Sequence, residues 1–276
     1  MSNVGYEALS NELVANDKLE LQASGENLDA LLGSLPLQHV KTILDVGCGS
    51  GSLSRALARH LGGEVQVYGL DISKEHIRYA EEAAEKQGLS NVHYLQGDLF
   101  DLGAEWAGAF DLVYEKYVLM TVAPRNLGPA FLSGMRGCAR AGGKVVCIEA
   151  DINFGQERYP PPPEALAKVL PSIVDYYREE GLIEWRCGVR LYHFFKSAGF
   201  TNPEVKLIDG RTIAGGFPRE LVEHDSIDVE QLINPCLELM NMSESVDEVA
   251  SQWRDYLASP DNFIYTPIFM CSGTVH

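Results

Sequence analysis

Three glycines fall within five residues of the stretch "ILDVGCGSGSLSRAL", at Gly47, Gly49 and Gly51. The turn follows an apolar run that reads as a strand and opens a run that reads as a helix. At such a junction free N–H groups and the helix dipole attract a negative group, and glycine lets the backbone approach a ligand closely with positive φ. Two cofactor classes use a turn of this kind. A dinucleotide site needs G-x-G-x-x-G, but the position of its last glycine, counted from Gly47, holds Ser52. The spacing here is G-x-G-x-G with Asp45 two residues before it, which weakens a nicotinamide cofactor.

Further titratable residues stand at or near the ends of apolar runs. Glu115 leaves "FDLVYE", and Glu149 and Asp151 alternate at the end of "KVVCIEAD", so both point to the same side of a strand edge. His193 lies on the aromatic helix face of "LYHFFKSAGF", where a core or capping role competes with a catalytic one. These four are the candidate bases. The six cysteines, Cys48, Cys138, Cys147, Cys187, Cys236 and Cys271, are scattered and form no CxxC pair; they read as buried thiols of a reducing compartment.

Several elements must position these groups. "KTILDVG", "EVQVYGLDI", "NVHYLQGD", "FDLVYEKYV" and "KVVCIEAD" read as five strands. Between them "SLSRALARHLGG" and "SKEHIRYAEEAAEKQG" read as helices, the second marked by Ser73 at its start and Gly88 at its end. "PRNLGPAFLSGMRGCARAGG" reads as a weaker helix. This alternation predicts a parallel sheet with helices on both faces. After Asp151 the pattern changes: "INFGQERYPPPP" reads as a loop, a helix follows around Glu164 to Glu180, and "NPEVKLID" is another strand. Two acidic amphipathic helices fill roughly Arg219 to Ala258, and "NFIYTPIFMCSGTV" closes the chain as a strand. The α/β core is therefore expected over 40–209 and 259–276, with additions at 1–39, 152–185 and 210–258 that form a helical substrate cap.

The ordered set of motifs resembles the class I S-adenosylmethionine-dependent methyltransferases. "LDVGCGSG" is followed by "YGLDIS", "LQGDLFDL", "FDLVYEKYVLM" and "AGGKVVCIEAD" in the family's order, and "LYHFFKSAGFTNPEV" extends the likeness to about residue 205. The caps at both ends look like those of small-molecule and natural-product methyltransferases. The resemblance implies a Rossmann-like, doubly wound, mostly parallel sheet of seven strands with helical caps. It implies that Gly47, Cys48, Gly49 and Gly51 lie against the methionine part of the cofactor, with Asp45 reaching its ammonium directly or through water. Asp71, at the end of the second strand, would accept from both ribose hydroxyls, and Ile72 would pack on the adenine. Asp98, with Asp101 as a nearby competitor, would accept from the adenine amino group while Leu99 donates its backbone N–H. Glu115 would lie near the methionine part and the transferred methyl. Glu115, Asp151 and His193 are carried as catalytic candidates, and Tyr159, Tyr176 and Tyr177 as candidates to line an aromatic acceptor pocket.

The chain of 276 residues is 46% apolar and 22% charged, with a net charge of −17. An acidic surface of this size disfavours phosphate backbones and anionic membrane surfaces, so nucleic acid and membrane are not expected partners. "YEKY" stands where a nucleic-acid methyltransferase carries an NPPY-like tetrapeptide. No segment approaches the roughly 20 apolar residues of a membrane span, and the acidic N-terminus lacks a signal core. A cytoplasmic enzyme acting on a small molecule is expected, with S-adenosylmethionine as cofactor, S-adenosylhomocysteine as product, no metal, and a homo-oligomer left open. A protein that binds the same cofactor without methylating, as a cyclase-like catalyst or regulator, is the alternative.

Overall fold

The structure, a computed structural model, describes residues 15–24, 26–151, 157–223, 233, 236–237 and 245–276. Strands β1 (Thr42–Val46), β2 (Gln66–Asp71), β3 (Val92–Gln96) and β4 (Phe110–Lys116) are all parallel, in the order β3-β2-β1-β4. β5 (Ala139–Ala150) continues the parallel set beside β4, and β8 (Phe263–Thr274) runs antiparallel to β5. The short β6 (Glu157–Tyr159) pairs with residues 263–265 of β8, which pair on their other edge with β7 (Glu204–Ala214). β5 and β6 thus lie end to end along one edge of β8, with β7 along the other. The sheet has eight strands rather than seven, because the loop expected before the prolines contains β6.

Local chemistry explains where the elements start and stop. β1 is buried over four of its five residues, as a strand covered on both faces must be. Gly51, at φ 76°, turns the chain from the loop into α3 (Ser52–Leu61), which ends at Gly62. α4 (Lys74–Lys86) starts where the Ser73 side chain accepts from the His76 N–H. The "ARAGG" segment, expected as helix, extends β5 instead; α6 (Gly128–Cys138) stops before it. At Gly143 a side chain would press on the carbonyls of Arg140 and Phe110, where the β4–β5 register shifts, so this glycine marks a strand irregularity rather than a helix end.

Two apolar layers sandwich the sheet. One packs Leu44, Val46, Val113 and Cys147 against α6 and α8 (Leu191–Ser197) through Leu132, Met135, Phe194 and Phe195. The other packs Ile43, Val67, Leu112, Tyr114 and Ile148 against α2 (Leu28–Ser34), α3 and α4. A third apolar cluster joins α7 (Glu164–Glu179) and α9 (Val246–Ala258) through Leu166, Val169, Val249 and Trp253, with Ile264 of β8 among them. The first of the two expected acidic helices falls largely outside the described residues, as do residues 1–14. Five of the six cysteines are buried and Cys48 is half-buried; all six are free thiols.

Candidate functional site

A cleft of 730 Å³ runs along the carboxyl edge of the sheet. The strand order fixes its layout. Asp98 follows β3, Asp71 ends β2, and the glycine loop follows β1 in the middle. Lys116 and Tyr117 follow at β4, Ala150 at β5, Thr266 and Ile268 on β8, and Gly210 and Arg211 on β7. α1 (Asn16–Ser24) lies over the loop through Leu19 and Ala23, and Phe131, Ile183 and Trp185 complete the wall.

At the β1–β3 end the glycine loop is held from within. The N–H groups of Gly47 and Cys48 both donate to Leu70 O, that of Gly51 donates to Cys48 O, and that of Gly49 donates to Asp71 Oδ2 at 2.9 Å. The loop therefore does not present these amides to an anion, as the sequence had suggested; it offers backbone at Gly47 and Gly49 where a side chain would otherwise stand. Gly49 has φ 53°, and a Cβ there would stand 2.7 Å from Leu19 Cδ1. Asp71 Oδ1 also accepts from Ser73 N–H and faces His76 Nδ1 at 3.5 Å. Asp45 is 4% exposed; it accepts from Ser54 Oγ at 2.5 Å and lies beside Tyr114. Burial pushes its carboxyl up to about 6, against the hydrogen bonds that favour the anion. Asp98, rather than Asp101, lines the cleft, its Oδ1 accepting from Phe100 N–H to close a short 3₁₀ turn. Ile72 stands exposed at the mouth, and Leu99 lies buried beside it.

The candidate bases are placed elsewhere. Glu115 and Glu149 are fully buried beneath the cleft and do not line it. Strand alternation turns Glu115 toward the α6 layer, where its Oε2 accepts from the N–H groups of Val118 and Leu119 at 2.9 and 3.2 Å. Glu149 Oε1 accepts from Met120 N–H at 2.9 Å. Together the two acids fix the start of α5 (Leu119–Val122); desolvation raises both carboxyls, Glu115 to about 7, and the charge of Glu115 pushes Glu149 up further. Asp151 is buried and does not line the cleft. His193 lies on the outer face of α8 beside Ser197, because Leu191, Phe194 and Phe195 take the inward positions. Tyr159, Tyr176 and Tyr177 are likewise absent from the lining; Tyr177 sits in the α7–α9 cluster.

Sequence reasoning missed most of the β4–β7 end. Lys116 Nζ pairs with Glu26 at 2.8 Å and lies 4.1 Å over the Tyr117 ring. Tyr117 has φ 63°, a conformation rare for a bulky residue and often found at functional sites. Asn27, next to Glu26, donates its N–H to Gly210 O and its side-chain amide to Asp209. At the other end Arg55, fully buried, ties Glu20 of α1 to the carbonyl of Ser50 at 2.6 Å. The N-terminal segment is thus strapped across the cleft at both ends. His76 had a local signal, standing three residues after the helix-capping Ser73; Glu26, Arg211 and Trp185 had none.

Among the described residues no helix is long and apolar enough to cross a membrane. The methyltransferase-domain family model matches residues 37–167. The chain is 31% identical over 183 residues to demethylmenaquinone methyltransferase of Geobacillus kaustophilus, an alignment covering 62% of this chain and 75% of that one. A solved structure from Bacillus halodurans C-125 shares the fold with a TM-score of 0.56 at 17% identity, over 90% of this chain and 98% of that one. Phosphoethanolamine N-methyltransferase 2 of Haemonchus contortus, solved with S-adenosyl-L-methionine, gives a TM-score of 0.55 at 18% identity, over 97% of this chain and 59% of that one. With the glycine loop after β1, an acid ending β2 and the sheet order around them, the chain belongs to the class I S-adenosylmethionine-dependent methyltransferases.

Proposed function

We propose that this methyltransferase acts on a small, largely apolar aromatic molecule of the natural-product type, by alignment in a closed cleft and without a strong general base. The observation that carries the proposal is the division of the cleft. Asp45, Asp71 and Asp98 gather with the glycine loop at one end, and Tyr117, Met120, Ile183 and Trp185 line the other. Three carboxyl groups suit a ligand that carries a sulfonium and an ammonium, and the glycines of the loop admit it closely. When bound, S-adenosylmethionine supplies an electrophilic methyl on a sulfonium with a good leaving group.

The chain's own residues do the rest. Gly47, Cys48, Gly49 and Gly51 receive the methionine part, and Asp45 receives its ammonium, whose charge draws the raised carboxyl back toward its ionised form. Each Asp71 oxygen already accepts one backbone N–H and keeps a lone pair for a ribose hydroxyl. Asp98 keeps Oδ2 for the adenine amino group, with Ile72 and Leu99 against the ring. Leu19 and Ala23 of α1 exclude water from the transfer point, which favours a displacement that disperses charge. Since Glu115, Glu149, Asp151 and His193 do not line the cleft, proximity and orientation account for the rate.

An aromatic acceptor agrees with the name of the Geobacillus relative and with the rings of Tyr117 and Trp185 in the lining. Of the expected cap segments 1–39, 152–185 and 210–258, α1, Ile183, Trp185 and Arg211 reach the cleft and serve as the cap, whereas α2 packs in a layer of the central sheet and β7 continues to Ala214. The net charge of −17 argues against nucleic acid, and the scattered free cysteines suit a reducing, cytoplasmic compartment. Calorimetric titration with S-adenosylhomocysteine, run beside NADH, tests the cofactor end. Micromolar binding of the first alone is expected. A screen of naphthols and hydroxybenzenes with labelled methyl donor tests the acceptor; transfer only to aliphatic amines would overturn the aromatic class.

A further inference from the structure

We infer that Arg211 selects the acceptor by binding an oxyanion, a carboxylate or a phosphate, carried on its aromatic body. This rests on the reading above that the cofactor takes the β1–β3 end of the cleft, which leaves the β4–β7 end to the acceptor.

Arg211 is aimed there by the backbone. The β7–β8 register shifts between Asp209 and Arg211, so the extra residue Gly210 bends the strand at the cleft wall. No side chain fits at Gly210, because a Cβ would press on Ile268 and on Thr266 O at 2.7 and 2.8 Å. Its carbonyl is pinned by Asn27 N–H at 3.0 Å. Arg211 follows, half-buried, and lines the same cleft as Tyr117.

The local acids are already engaged. Asp209, the nearest in sequence, accepts from Thr212 Oγ1 at 2.9 Å and from Asn27 Nδ2 at 3.3 Å. Glu26 is paired with Lys116. Arg125, the remaining lining cation, leans its Nε toward Gly181 O at 3.4 Å. Among the described residues Arg211 has no carboxylate within ion-pair distance, in a chain that carries 39 acids against 22 lysines and arginines. The cleft is therefore polarised: three carboxyls stand at the cofactor end, whereas at the other the lining acid Glu26 is paired with Lys116 and the Arg211 guanidinium is left over. A planar fork with no carboxylate of its own, half-shielded from water and set beside aromatic walls, recognises carboxylate or phosphate oxygens in pairs.

The test uses the full chain saturated with S-adenosylhomocysteine, titrated calorimetrically at pH 7 with 1-naphthoate, 1-naphthyl phosphate and uncharged 1-naphthol. At least one anion should bind tenfold or more tightly than 1-naphthol, and which one does so separates carboxylate from phosphate. Arg211→Gln should erase that advantage and leave affinity for 1-naphthol and S-adenosylhomocysteine unchanged. Equal binding of the three probes, no binding of either anion at millimolar concentration, or an unchanged preference in Arg211→Gln overturns the inference while the cofactor end stands. Failure of S-adenosylhomocysteine to bind the unaltered chain overturns the cofactor reading and this inference with it.

Discussion

The two ends of the cleft are built by different means. At the β1–β3 end each polar group follows its strand within a few residues, so strand and turn geometry place it directly. At the β4–β7 end the lining comes from residues 26, 116–118, 120, 183, 185, 210–211, 266 and 268, drawn together only by tertiary packing. A site that must hold one invariant cofactor is written in short motifs, whereas a site for a variable acceptor is assembled from caps and edge strands.

The strongest way to break this division is to fill the loop. Gly49→Val adds a branched side chain at φ 53° against Leu19. Calorimetric binding of S-adenosylhomocysteine should disappear while far-UV circular dichroism is retained; normal affinity would mean that the loop does not receive the cofactor. Asp71→Ala is expected to weaken the same binding by about 1–3 kcal/mol, through loss of acceptor groups for the ribose. Naphthyl probes at the other end should bind as before, and a matching loss there would erase the boundary between the two ends.

The Glu115–Glu149 pair sits beneath that boundary and sharpens it through pH. Both folded-state values are raised above the ordinary carboxylate range, so their contribution is fully present below about 4.5 and is lost as pH rises through the raised values, near 7 for Glu115. Cys147 and Cys187 pack against the pair as neutral thiols held up by burial and by these acids. Glu149→Gln removes one of the two charges. Its melting temperature should fall less than that of the unaltered chain between pH 6 and 9, a difference of about 1 kcal/mol at the upper limit; parallel curves would show that the pair does not titrate there. The smallest effect belongs to His193→Ala, on the outer face of α8: within about 0.5 kcal/mol in stability, and no change in methyl transfer. A large loss of activity would restore the histidine as a candidate.

What the sequence disclosed follows the same division. Ser73 and Gly88 bound α4 as expected, since capping is a local matter. Of Asp98 and Asp101, the first caps a short turn and lines the cleft, and the second, three residues on, is absent from the lining. Glu115 misled because the end of β4 reaches the cleft while its alternate side chains do not; Tyr114 and Glu115 face opposite layers. "ARAGG" misled because a glycine pair ends a helix and bends a strand equally well. Arg211 was beyond reach, since a bulge has no signature in the period of a strand and its value depends on Asn27, 184 residues earlier.

β8 carries a thermodynamic consequence. Its lower half, with Met270 and Cys271, belongs to the two layers of the central sheet, and its upper half, with Ile264, is buried among the helices of the cap. One continuous strand is therefore shared between core and cap, and neither can melt without stripping backbone hydrogen bonds from the other. Scanning calorimetry should record a single endotherm, with equal calorimetric and van't Hoff enthalpies. Two resolved transitions would mean that the cap is an independently folding unit. Cooperativity of this kind makes cap mutations far from the glycine loop lower the melting point of the cofactor end as well.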